Sequence, residues 1–152
     1  MENIKWEYKQ FSALTSAELY YILTLRNEVF VVEQNCIYLD TDNKDQHAWH
    51  ILGYINKKLV AYSRILPPGV SFHEASIGRV VTHSSIRRNG LGILLMKESI
   101  EKIITQFEVT EIRIGAQCYL IQFYVSLGFA VDGKEYIEDG IPHVEMLFKI
   151  KK

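Results

Sequence analysis

Apolar residues along this chain recur in two rhythms, every second position in some segments and every third or fourth in others. Ile4 to Phe11 predicts a first strand. Thr15-Ser16-Ala17-Glu18 has the form of a capping box and starts a helix. Leu19, Ile22, Leu23, Arg26, Val29 and Phe30 share one face of it at helical spacing. Leu39 to His47 is polar and acidic and reads as a loop. Trp49 to Ile55 and Leu59 to Leu66 predict partner strands around a turn at Asn56-Lys57-Lys58. Pro67-Pro68-Gly69 breaks the chain as a hairpin tip, and Ala75 to Thr82 is a further strand. The helix after Gly90 directs Met96, Ile100, Ile103, Ile104 and Phe107 inward. Lys97–Glu101 and Glu98–Lys102 lie four apart on its exposed side. Glu111 to Gly115 alternates as a strand. A helix from Tyr119 to Leu127 ends at Gly128, a natural cap. Tyr136 to Glu138 and His143 to Phe148 close as a hairpin around Asp139-Gly140.

The order is strand, helix, hairpin, strand, helix, strand, helix, hairpin. The strand-helix-strand unit from Ala75 to Gly115 requires one parallel strand pair with a right-handed crossover. The other strands can pair antiparallel, so the fold class is α+β. A chain of 152 residues suits one domain with a sizeable core, and residues 1–152 are read as a single domain. Net charge is −1 with acids and bases mixed, which gives neither a nucleic-acid surface nor a membrane surface. The N-terminal MENIKWEYKQ lacks the basic start and apolar run of a signal peptide. No apolar run approaches the ~20 residues of a membrane span. The two cysteines, Cys36 and Cys118, have neither metal spacing nor the number for a disulfide framework. A reduced cytoplasmic setting and no metal are the simplest expectation.

Candidate chemistry concentrates at Arg87-Arg88-Asn89-Gly90-Leu91-Gly92, between a predicted strand and a predicted helix. A helix N-terminus offers unpaired N–H groups and partial positive charge, and glycines allow an anion close to the backbone. The spacing R-x-x-G-x-G resembles the acyl-CoA pyrophosphate loop of the GCN5-related N-acetyltransferases (GNAT). Phe123-Tyr124-Val125-Ser126-Leu127-Gly128-Phe129 resembles the Y-x-x-x-G-F ending of that family's second motif. Within the superfamily the chain resembles the ElaA family. The segments that carry this run from Arg26 through Val29 to Cys36, with Asp40 and Asp42. His50 to Gly53, Ile77 to Val80, Gly115 to Gln117 and Glu138 to His143 follow.

The resemblance implies a central mixed, mostly antiparallel sheet with one parallel pair, flanked by helices. It implies acetyl-CoA as cosubstrate and a primary amine of a small molecule or peptide as acceptor, and it leaves a homodimer open. Carried over residue by residue, Val80, Val81 and Thr82 pair with pantetheine, and the N–H groups of Arg88, Asn89, Gly90, Leu91, Gly92 and Ile93, with Arg87, hold the pyrophosphate. Gln117 stands where the family often has an asparagine near the thioester. Tyr124 stands where many members protonate the leaving thiolate. The chemistry needs such groups. At pH 7 on the order of one amine in a thousand is neutral, a cost of roughly 4–5 kcal/mol. The oxyanion of the attack wants preorganised donors.

On the acceptor side the alternatives stay open. Arg26, on an apolar helix face, either pairs with Glu33, Asp40 or Asp42 or recognises an acidic group on the acceptor. Glu33, Asp40 and Asp42 form an amine pocket or are solvated loop charges. His50 and His143 are bases near neutral pH or packing residues. Arg79 lines the cleft or solvates an edge, and Cys118 is structural. Two other functions compete. One is an acyl-homoserine-lactone-synthase-like acyltransferase, suggested by Arg26, Phe30, Glu33, Asp40 and Asp42. The other is a non-catalytic acyl-CoA-binding module.

Overall fold

The computed structural model describes residues 3–151; of the span read as one domain, Met1, Glu2 and Lys152 lie outside the described residues. Strand β1 (Lys5–Gln10) leads to α1 (Ser16–Arg26), which continues as a π-helical segment, Asn27–Glu33. The hairpin β2 (Trp49–Ile55) and β3 (Lys58–Leu66) is followed by β4 (Ser76–Thr82) and α2 (Leu91–Gln106). Then come β5 (Glu111–Gln117), α3 (Ile121–Ser126), β6 (Ala130–Val131), β7 (Tyr136–Glu138) and β8 (Ile141–Lys149).

Local chemistry accounts for the boundaries. The Thr15 side chain accepts from the Glu18 N–H at 3.1 Å, and Glu18 accepts from the Thr15 N–H at 2.9 Å, which closes the expected capping box. Asn56 and Lys57 both have positive φ, as do Asp139 and Gly140. Ile55 faces Lys58 and Glu138 faces Ile141 across these two-residue turns. Their left-handed backbone matches the twist of the strands they join.

The sheet β1-β2-β3-β4 is antiparallel throughout, and β8 pairs antiparallel with β5, β6 and β7. The expected parallel contact joins the two groups as a single bridge, Ala75 to Ile112, with the Arg113 N–H donating to the Ala75 carbonyl at 2.9 Å. Both faces of the β2–β3 region are covered. Ile51, Val60 and Ile65 pack with Leu95, Met96 and Ile103 of α2, and Leu52 and Tyr62 pack with Ile22 and Leu25 of α1. This is why β3 is buried almost along its length.

Three surface expectations change. Ile104 is 45% exposed, while Leu95 and Ser99 lie inside. Ser99 is accommodated there because its hydroxyl bonds both the Leu95 carbonyl and Ser63 Oγ, each at 2.7 Å. Glu98 accepts from the Tyr8 hydroxyl instead of completing a helical pair. Lys102 lies 4.4 Å from the Tyr8 ring centroid, over its face.

Candidate active site

Beyond the Ala75–Ile112 bridge β4 and β5 no longer pair, and a cleft of ≈ 1210 Å³ opens with residues of both strands in its walls. The ladder shows how β4 turns into it. Arg64 faces Gly78 and Tyr62 faces Val81, so β4 carries one extra residue. Arg79 takes up that excess at φ 50, a left-handed conformation that costs a non-glycine residue about 1–2 kcal/mol. The bulge takes Arg79 and Val80 out of the ladder and puts Arg79, Val80, Val81 and Thr82 on the cleft wall.

Thr82 and Arg87 line the cleft, and the chain runs on from them into the start of α2. Arg88 and Gly90 have φ 70 and φ 76, and this double reversal aims the chain into the helix. No neighbour lies within 4 Å of a Cβ built on Gly90, so the demand for glycine there is conformational. Arg88, Asn89 and Gly90 are exposed, Ile93 is 40% exposed, and Leu91 anchors the turn in the core. Gly92 packs against Phe123, which ties the loop to the helix that carries Tyr124. The Arg87 guanidinium folds back on the Thr82 carbonyl at 3.1 Å. It also pairs with Glu33 through both carboxylate oxygens.

Gln117, at the end of β5, exchanges amide hydrogen bonds with Gln34 at 3.3 and 3.4 Å. Tyr124 lines the cleft between these groups, 7% exposed, wedged edge-on between Phe123 and Phe129. Burial pushes its hydroxyl up to about 12, so it holds its proton throughout the neutral range.

The acceptor-side candidates separate. Arg26 has no exposed surface and belongs to the framework. Its Nε donates to Asp40 at 2.7 Å and its Nη1 to Asp45 at 2.8 Å. A guanidinium held this way has no face left for an acceptor, which corrects its place among the substrate contacts. Asp45 also accepts from Arg64 at 2.9 Å, and Arg64 grips Asp42 bidentately at 2.7 and 2.8 Å. Burial opposes ionisation of Asp42, but the Arg64 donors outweigh it and hold the carboxyl down at about 2. Asp40 and Asp42 are therefore ion-paired groups and not solvated loop charges.

Glu33 sits at the cleft mouth as expected, but its charge is answered by Arg87, which holds its carboxyl low. His143 is nearly buried in the cleft wall. Its Nδ1 donates to the Ile141 carbonyl at 2.7 Å, which leaves Nε2 as the lone-pair nitrogen, 3.6 Å from Glu138. Tyr136 stacks on the His143 ring, and its hydroxyl lies 2.6 Å from where a Cβ on Gly115 would stand. His50 is sealed in the core. It donates from Nε2 to the Asp45 carbonyl at 2.9 Å and accepts the Tyr62 hydroxyl at 2.7 Å, and burial keeps it neutral.

Several cleft residues carried no signal in the sequence. Arg64 and, behind the cleft, Asp45 lack motif spacing, Tyr136 read only as a strand residue of the closing hairpin, and Lys44 only as part of the polar loop. Gln34 was legible only as the neighbour of Glu33. Among the described residues no group of three His, Cys, Asp or Glu is placed to hold a metal ion, and no helix is long and apolar enough to cross a membrane.

Comparisons with known proteins agree with this geometry. A family model for the acetyltransferase (GNAT) domain matches residues 23–150. A UPF0039 protein of Synechocystis is 38% identical over 97% of each chain. Protein ElaA of Escherichia coli is 41% identical over 94% of this chain and 95% of its own length. The ElaA crystal structure superposes with a TM-score of 0.90, covering 97% of this chain and all of the other. An acyl-CoA N-acyltransferase from Pseudomonas aeruginosa gives 0.89 at 37% identity, covering 95% of this chain and 99% of that one.

Proposed function

The chain belongs to the GNAT acetyltransferases and, within them, to the ElaA family, and on that premise we propose that it transfers the acetyl group of acetyl-CoA to a primary amine by direct attack in a ternary complex. The observation that carries this reading is Tyr124. It is a buried neutral hydroxyl in the wall of a cleft that is also lined by Arg87, the residue leading into the glycine loop at the start of α2.

The residues fit the donor. Unpaired N–H groups from Arg88 to Ile93 suit a pyrophosphate, and no side chain stands over Gly90. The bulged backbone at Val80, with Val81 and Thr82, suits an extended pantetheine arm. Arg87 and Gln117 reach the same region, and their present partners, Glu33 and Gln34, are side chains that can exchange for ligand.

The chemistry follows from what these groups hold. The ammonium of the acceptor gives a proton to His143 Nε2, directly or through water. The freed lone pair attacks the thioester carbonyl, and the new oxyanion meets backbone donors at the bulge. When the C–S bond breaks, Tyr124 gives its proton to the leaving thiolate. The attacking nitrogen, cationic once it has bonded the carbonyl carbon, gives up its second proton through water, and that proton restores the Tyr124 hydroxyl. Both cysteines are free thiols, and Cys118 is pushed up by burial and then by Glu135, so neither is needed as a nucleophile. Free thiols also suit a reducing cytoplasm.

The test is direct. The protein is incubated with acetyl-CoA and a broad panel of primary amines, with free CoA read by a thiol reagent and products by mass. Amine-dependent CoA release with matching acetylated products is the expected outcome. CoA release that no amine accelerates would return the chain to the acyl-CoA-binding reading.

A further inference from the structure

We infer that the acceptor carries an anionic group, a carboxylate above all, as well as its amine, and that Lys44 and Arg79 receive that group; the inference rests on the acetyl-transfer reading above. It is drawn from the way charge is divided between two walls of the cleft.

One wall is the 40–45 loop with β3 and β4. It holds three cations, Lys44, Arg64 and Arg79, and three carboxylates, Asp40, Asp42 and Asp45, and Arg26 of α1 adds a fourth cation from behind. The carboxylates are saturated from inside. Asp40 takes Arg26, Arg79 and the Tyr38 hydroxyl, and Asp45 takes Arg26 and Arg64. Asp42 takes both Arg64 donors, the Lys44 N–H and, at 3.4 Å, Arg79. What is left over is cationic and faces the cleft. Lys44 Nζ meets only Ser71 Oγ at 2.9 Å and has no carboxylate partner among the described residues. Arg79 donates from Nη2 to the Asp40 carbonyl and to Asp42, its Nε lies 2.9 Å from an Asp40 carboxylate oxygen without a hydrogen bond, and its Nη1 makes no hydrogen bond among the described residues. The Lys44 backbone N–H and the Arg79 guanidinium both bond Asp42, which sets the two residues around one carboxylate in the same wall, and Ser71 adds a hydroxyl beside the Lys44 ammonium.

The other wall is the β7–β8 hairpin, and its excess is acidic. Glu145 is answered by Arg113, but Glu138 has only His143 at 3.6 Å, and Asp139 has no ion pair among the described residues. The rings of Tyr38, Phe72 and Tyr136 also line the cleft. A ligand that matches this pattern is dipolar. Its ammonium goes to Glu138 beside the His143 lone pair, where the proton must leave. Its anion goes to Lys44 and Arg79, and a short organic body lies against the rings. Amino acids and short peptides with a free amine have this form. A simple alkylamine answers only one wall, and a polyamine would place a second positive charge against Lys44.

The experiment compares matched acceptors on the intact protein, with acetyl-CoA saturating. Amino carboxylates of increasing chain length and short peptides are paired with their carboxamides, and one pair member is replaced by a phosphonate to separate carboxylate from other anions. The carboxylate member should exceed its amide in kcat/KM by roughly ten- to a hundredfold, the worth of a charge-assisted hydrogen bond. Most of that difference should lie in KM. Lys44→Gln keeps reach to Ser71 and should bring the ratio toward one; Lys44→Arg should restore it. Equal rates on both members, unchanged in Lys44→Gln, would overturn the inference while leaving acetyl transfer intact. Transfer to no amine at all would overturn both. The wild-type ratio needs no variant, so a misfolded Lys44→Gln would not shelter the idea. A phosphonate that outperforms the carboxylate would keep the cationic wall and overturn the carboxylate preference.

Discussion

The two ends of the cleft are built differently. The proposed donor end is one run of chain, Arg87 to Ile93, which would offer backbone N–H donors and in which Arg88 and Gly90 have positive φ. The proposed acceptor end is made of side chains from Lys44, Arg79, Glu138 and His143 in the cleft wall, with a buried ionic lattice behind the first two. Backbone recognition needs only the right local conformation, so it tolerates change in most side chains around it. Side-chain recognition depends on every contact that positions the side chain, and those contacts come from four separate strands and loops. Substitutions should therefore separate the ends, with damage local at one and propagated at the other.

The lattice is where the acceptor end should break hardest. Arg26→Ala would leave Asp40 and Asp45 buried without their main cation, at a cost of about 3–5 kcal/mol. Urea unfolding would read this as a large drop in midpoint. A loss under about 1 kcal/mol would mean that Arg64 and Arg79 compensate and that the lattice is not the support described.

Tyr124 lies where the two ends meet. Tyr124→Phe should lower kcat about a hundredfold with little change in CoA affinity, because it removes a proton and keeps the ring packed against Phe123 and Phe129. Wild-type turnover in this variant would leave Tyr124 a packing residue and shift the acid to water.

Gly90→Val tests the donor end alone. A β-branched residue at φ 76 should distort the loop and raise the CoA dissociation constant about tenfold in calorimetry. Acceptor-side structure should be untouched, as no side chain lies within 4 Å of that position. Unchanged CoA affinity in the folded variant would remove the loop from donor binding.

The smallest effect is in acid. Asp42 is held at about 2, below its ordinary 3.8, so its ionised form stabilises the folded state above about pH 4. That contribution should be lost as pH falls from 4 through 2, when the folded-state carboxyl at last protonates. Thermal midpoints across this range should fall less steeply in Asp42→Asn. Parallel curves for the two proteins would mean that Asp45 and other carboxylates carry the whole acid response.

The strands, the helices and the hairpin turns were legible because each is written in neighbours. The Thr15–Glu18 box, the apolar runs of β2 and β3 and the Asp139-Gly140 turn all act within a few residues. The helix faces were less so. Ile104 fits the helical period of α2 but falls outside the contact with β3, while Ser99 lies inside because Ser63 is there to bond it. Glu98 had a partner four residues away, yet Tyr8 reaches it from β1. The two-residue β6 shows only through its pairing with β8.

By itself the chain determined the class of fold, the glycine loop and the place of Tyr124, since spacing, capping and positive-φ positions are properties of short stretches. Only the tertiary structure decided which charges are used up. Arg26 and Glu33 looked alike as candidates for the acceptor. One is closed in by Asp40 and Asp45, and the other is answered by Arg87. Lys44, unremarkable in its loop, has no carboxylate partner among the described residues and lines the cleft. Charge compensation acts over a few ångströms in space and takes no account of distance along the chain, so no period in the sequence could record it.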